Sequence, residues 1–222
     1  MGPLQALRTR LLPVFLTASF LLGSACQVLA AEEHNPVEPG PELLSALQHG
    51  GFVFYLRHGP TDSSIPDQVP VDFDDCATQR PLSDEGRQVM ADVAEHLARH
   101  DWPLESPILV SPFCRARETA RIVLPTREYE INDLLRYTAA MTDDEKRPVI
   151  EHTGKMLSLP VEGNVNRLLV AHGPNLADLM NYFPPEGTLV IFSPLGEEGY
   201  LYRASIPPDL WPSLDIHHPF QQ

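Results

Sequence analysis

Three short stretches hold residue types that can do phosphate chemistry. "YLRHGPTD" (residues 55–62) ends an apolar run in Arg57, His58 and Gly59. "SPFCRARETA" (111–120) brings Arg115 just after another apolar run, and "LLVAHGPN" (168–175) sets His172 ahead of Gly173 and Pro174. Two guanidiniums can hold a phosphoryl group through several charge-assisted hydrogen bonds, a geometry that lysine supplies less specifically. An imidazole held in line with the phosphorus can attack it, and water can then cleave the phosphohistidine. Singly, each residue also fits an ordinary role: a hydrogen-bonded histidine at a strand end, or Arg115 and Arg117 covering a helix start. Their recurrence at three strand ends, in this order, favours one shared site.

For these residues to meet, the strands before them must run parallel, because ligands collect at the carboxyl ends of such strands. Residues 52–56, "PILVSP" and "RLLVAHG" read as short buried strands, and "EYEIND" as a further one. "PELLSALQHGG" is a short helix opened by Pro41 and closed by Gly50 and Gly51. "LSDEGRQVMADVAEHLARH" carries Val89, Met90, Val93, Ala94, Leu97 and Ala98 at helical spacing after a Ser83 N-cap. "CRARETARIVL" and "PNLADLMNYF" continue as helices, and "DDEKRPVIEHTGKML" as a helix interrupted near Pro148. "TLVIFS" and "GYLYRASI" form a closing antiparallel pair. Alternating strands and helices predict a three-layer α/β/α sandwich with a mostly parallel central sheet.

The first thirty residues read as an address. Arg8 and Arg10 precede an apolar run from Leu11 to Ala25, and small residues follow in "VLAAEE". This layout predicts a signal peptide over residues 1–30, cleaved after Ala30 or Ala31. The alternatives are an uncleaved anchor and lipidation at Cys26. A polar leader (31–41) then precedes a single domain over 42–222. Cleavage takes Lys+Arg from 16 to 14 against 30 Asp+Glu, leaving about −16. Such acidity argues against a nucleic-acid partner or an anionic membrane surface once the signal is removed. Any phosphate site must therefore be a local cluster of positive charge. Cys76 and Cys114 remain as an even pair: a disulfide in an oxidising compartment, or two buried thiols.

Other phosphate chemistries fail on spacing. Cys-x5-Arg from Cys114 falls on Ala120, no Walker-type glycine loop is present, and the nine histidines include no HxH or HExxH pair. The mechanism needs neither metal nor cofactor.

With "YLRHGPTD", "RPLSDEGRQ", "SPFCRARETA" and "LLVAHGPN" in this order, the sequence resembles the histidine phosphatase superfamily, phosphoglycerate-mutase-like proteins. It is most similar to extracytoplasmic bacterial members through "GGFVFYLRHG" and "DDCATQRPLS". The resemblance implies that His58 is the phosphorylated nucleophile, that Arg57, Arg115 and His172 complete the pocket, and that Thr61 lies near the phosphate. Many members carry a proton-donating glutamate after the third strand. Here Tyr137 stands in that place, so Glu186 in "PPEGT" is the preferred donor and Asp133 the alternative. The compact chain has no room for a mutase's covering insertions, which favours hydrolysis of a small-molecule or glycan phosphomonoester. The expected location is beyond the inner membrane, in the periplasm. The competing reading is a non-catalytic module that binds phosphate or sugar phosphate on the same fold.

Overall fold

A computed structural model of the chain describes residues 35–215, with Gly2 besides. The signal-peptide segment, Cys26 and the His217-His218 tail lie outside the described residues. Strands β1 (Val53–Arg57), β2 (Ile108–Val110), β3 (Tyr129–Ile131), β4 (Arg167–Ala171), β5 (Leu189–Pro194) and β6 (Tyr200–Ile206) form one six-stranded sheet in the order β3-β2-β4-β1-β5-β6. The first four in that order are mutually parallel, whereas β5 runs antiparallel to β1 and β6 antiparallel to β5. Helices α1 (Pro41–Leu47), α2 (Asp84–His100), α3 (Cys114–Val123), α4 (Asp143–Ser158), α5 (Gly173–Met180) and α6 (Trp211–Asp215) flank it.

Helices cover both faces, and this explains why β1 is apolar throughout. Phe54 and Leu56 pack into one core with Leu44 of α1, Met90 of α2, Ala116 of α3 and Trp211 of α6. Val53 and Tyr55 face the other core, with Leu157 of α4 and Leu176 of α5. A strand covered on both faces cannot alternate polar and apolar residues. On α2, Met90, Val93 and Leu97 are the buried stripe, and Ser83 Oγ caps the helix by accepting from Gly86 N at 2.9 Å. Gly86 also permits a close approach: a Cβ there would lie 1.9 Å from Pro60 O. The loop after β1 therefore sits directly on the first turn of α2.

The structure departs from sequence expectation in several places, among them the end of α5, which stops at Met180 rather than running through Phe183. The first strand spans 53–57 rather than 52–56, so Arg57 is its last residue. Helix α4 runs unbroken through Pro148. Proline removes one hydrogen bond to the carbonyl four residues back; here that residue is Asp144, exposed like Pro148 itself, so water can serve the carbonyl. Part of the supposed leader belongs to the domain: Ser205 N donates to Val37 O at 2.8 Å, Val37 N donates to Tyr202 Oη at 2.9 Å, and Pro39 is buried.

Candidate active site

Sheet register brings the motif residues together. Arg57 of β1 lies opposite Ala171 of β4, and His58 N donates to Ala171 O at 3.0 Å, so His58 and His172 leave neighbouring strands side by side. On the other side of β4, Ser111 N donates to Val170 O at 2.9 Å, which places the start of α3 and Arg115 at the same edge. Because β5 is antiparallel to β1, its beginning lies at the carboxyl end of β1. Arg57 N donates to Thr188 O at 3.0 Å and Gly187 N to His58 O at 2.9 Å. The loop holding Glu186 is thereby delivered to the site.

The two imidazole rings stand 5.2 Å apart, edge to face. His58 Nδ1 is 2.9 Å from Gly59 O. A carbonyl can only accept, so Nδ1 carries the proton and Nε2 of the neutral ring keeps its lone pair. Burial, with the charge of Arg115 next, holds the His58 pKa well below its ordinary value of 6.5. His172 is shifted the same way, by burial and then Arg115. Ser111 Oγ accepts from Phe113 N at 3.4 Å and lies 2.7 Å from His172 Nε2. With Ser111 donating to Nε2, the proton of His172 is on Nδ1, a buried atom without a partner among the described residues. Tyr55 Oη donates to His172 O at 2.8 Å and accepts from His172 N at 3.1 Å, fixing the backbone beneath the ring. Burial pushes the Tyr55 hydroxyl pKa upward, which keeps it a donor.

Arg57 packs against the backbone of Gly173, where a Cβ would lie 3.0 Å from Nη1. Nη1 donates to Pro184 O, Nη2 lies 3.4 Å from Glu186 Oε1, and the buried Nε has no partner among the described residues. Arg115 lies over the rings of Phe113 (4.4 Å) and Tyr137 (5.2 Å), and its Nη1 donates to Asp67 Oδ1 at 2.9 Å. Desolvation lowers the proton affinity of both guanidiniums, though an arginine stays charged at any working pH. Orphaned donors on Arg57 and His172 beside an unprotonated imidazole form a pocket suited to an oxyanion.

Of the two candidate acids, only Glu186 is at the site. Its Oε1 lies 3.9 Å from His58 Nδ1 and accepts from Thr61 Oγ1 at 3.0 Å, while Oε2 accepts from Thr61 N at 3.2 Å. Thr61 thus bonds Glu186 directly. Asp133, in a 3-10 turn after β3, is exposed and has no bond to any site residue among those described. Further along the same stretch, the Tyr137 ring lies against His172 at 5.6 Å. Cys76 and Cys114 are joined in a disulfide, one of the two alternatives open from sequence. Arg117 donates to Phe73 O at 2.9 Å and faces the disulfide rather than the pocket. Sequence reasoning missed Ser111, Tyr55 and Asp67, which carry no local signal of a role at the site.

Residues 53–138 match the family model described as the histidine phosphatase superfamily (branch 1). No curated protein matches the chain. Among solved structures the chain is similar to mycobacterial hydrolase 1, at 19% identity over 70% of this chain and 99% of that one, with a TM-score of 0.50. It is also similar to the protein histidine phosphatase SixA complexed with tungstate, at 17% identity over 71% and 97% of the two chains and a TM-score of 0.47. A phosphoserine phosphatase mutant from Entamoeba histolytica in complex with phosphoserine gives 12% identity over 72% and 98%, with a TM-score of 0.49. At such identities the likeness is one of fold. The matched residues contain Arg57, His58 and Arg115, and the sheet sets His172 beside them from β4: residues 53–138 of this chain are similar to the histidine phosphatase superfamily.

Proposed function

We propose that the protein is a phosphomonoester hydrolase working through a phosphohistidine on His58, without a metal. The observation that carries this reading is the His58 ring itself: Nδ1 is tied to Gly59 O, the ring is held neutral, and it stands beside the unpartnered Nδ1 of His172 and between Arg57 and Arg115. The His58 Nε2 lone pair forms the N–P bond as the ester P–O bond breaks, and the leaving oxygen takes a proton from Glu186, which enters this step as the neutral acid and is returned to that form by the second. In the second step water attacks phosphorus, gives its proton to Glu186, and the N–P bond breaks to release inorganic phosphate. Arg57, Arg115 and His172 hold the oxygens of the transferring group throughout, where charge is spread in the transition state.

The substrate class is a small-molecule or glycan phosphomonoester, and the location is the cell envelope. The Cys76–Cys114 disulfide and the N-terminal sequence pattern support an oxidising compartment. The test is p-nitrophenyl phosphate turnover with EDTA present. Turnover that His58→Ala abolishes is the expected result. A wild-type protein inactive on this and a panel of monoesters would replace the hydrolase with the binding module.

A further inference from the structure

We infer that Arg80 is a third guanidinium of the phosphate pocket, contacting the phosphoryl oxygens of the substrate; this rests on the hydrolase reading of the same site. The backbone of Arg80 is pinned between the nucleophile and Arg115. Its N–H donates to Asp67 Oδ1 at 2.8 Å, and the same oxygen accepts from Arg115 Nη1 at 2.9 Å. The following residues pair with the nucleophile loop: Asp62 N donates to Pro81 O at 3.1 Å, Ser83 N donates to Pro60 O at 3.0 Å, and Thr61 bridges Leu82. On the preceding side, buried Gln79 accepts from Cys114 N at 2.8 Å, and Cys76 is bonded to Cys114. A residue held from both ends in this way has little freedom to leave the site.

Its side chain, in contrast, is bonded to nothing. Among the described residues Arg80 makes no side-chain hydrogen bond or ion pair, and its Nε is buried without a partner. This happens in a chain with 30 acidic residues against 16 Lys+Arg. The two carboxylates of the pocket are engaged elsewhere: Asp67 with Arg115, and Glu186 with Arg57 and Thr61. A half-buried cation without a counter-ion is costly unless something else supplies one. A dianionic phosphoryl group between His58 and Arg115 supplies it, and satisfies the orphaned donors of Arg57 and His172 together with that of Arg80. The charge of Arg80 also reaches both neighbours, contributing to the lowered proton affinity of His58 and of Arg115.

This arrangement predicts a signature that a structural arginine lacks. Titration of inorganic phosphate into wild-type, Arg80→Ala and Arg80→Lys proteins by calorimetry, with phosphate-free melting temperatures alongside, reads it without any turnover. Arg80→Ala should weaken phosphate binding about 10- to 100-fold, the loss expected for charge-assisted hydrogen bonds. Its phosphate-free melting temperature should be unchanged or raised, because an uncompensated charge has been removed. Arg80→Lys should recover part of the affinity. Unchanged phosphate affinity in Arg80→Ala overturns the inference, as does a fall in the phosphate-free melting temperature with Arg80→Lys no better than Arg80→Ala. A wild-type protein that binds phosphate but hydrolyses no monoester sinks the hydrolase reading while the Arg80 arm is still read. A wild-type protein that binds no phosphate overturns both.

Discussion

Glu186 shows how much of this site depends on single side chains with two jobs. It holds Arg57 and Thr61 by its two oxygens, and it is the carboxylate assigned to proton transfer. The two jobs separate experimentally by leaving group. Glu186→Gln keeps the size and one acceptor but cannot pass a proton. Loss of general acid catalysis is worth about 10²–10⁴-fold, so turnover of an alkyl phosphate should fall by that order while p-nitrophenyl phosphate, whose leaving group needs no proton, falls far less. Equal losses on both substrates would assign Glu186 to positioning alone. Gly173 is the complementary case, since a methyl there would press on the Arg57 guanidinium from 3.0 Å. Gly173→Ala should raise KM for the phosphoester by displacing Arg57, and a KM equal to that of the wild type would show that Arg57 can move aside without loss.

At the level of elements, the strap of residues 67–80 is the part of the molecule that turns a generic sheet edge into this pocket. It has little regular structure, only a 3-10 turn at Cys76–Thr78, yet it is tied down by Asp67 at one end and Cys76 and Gln79 at the other. The disulfide closes a loop across a sequence separation of 38 residues. Loop-closure entropy gives a ceiling of about 3–4 kcal/mol for such a bridge. The Cys76→Ser, Cys114→Ser double variant should therefore melt at lower temperature and bind phosphate more weakly, since the strap carries Asp67 and Arg80. Stability lost with phosphate affinity retained would mean that the hydrogen bonds alone hold the strap.

For the whole molecule, two buried histidines make stability depend on acid. His58 and His172 have folded-state pKa values well below the ordinary 6.5, for reasons of burial and the nearby Arg115, Arg57 and, for His58, Arg80. Below about pH 6.5 the unfolded chain binds protons that the folded chain refuses, so stability falls as pH falls, by up to about 1.4 kcal/mol per pH unit for each histidine. Denaturant melts between pH 7 and 5 should show this slope, and the His172→Gln variant should show a shallower one; a wild-type melt flat across that range would mean the rings protonate in place. The same contrast between local and long-range causes decides how far sequence reading reached. Arg57, His58, Arg115 and His172 were legible because the chemistry demands rare residue types and each closes or follows an apolar strand, a pattern contained within a few neighbouring residues. The layered α/β fold was legible for the same reason. Asp67 and Ser111 are common residues in an irregular segment and at a strand end, and no local pattern marks them; Glu186 could be named only as one of two candidate acids, and its place in the fold separates it from Asp133. Thr61 and Glu186 are 125 positions apart and meet only because β5 returns antiparallel beside β1. The backbone of Arg80 lies beside α3 only because a disulfide and two hydrogen-bonding side chains, Asp67 and Gln79, fold its loop there. The sequence by itself determined which groups are candidates for the chemistry; the tertiary structure decided that they meet and which groups surround them, because that depends on strand direction and loop closure, which act across distances that local patterning does not encode.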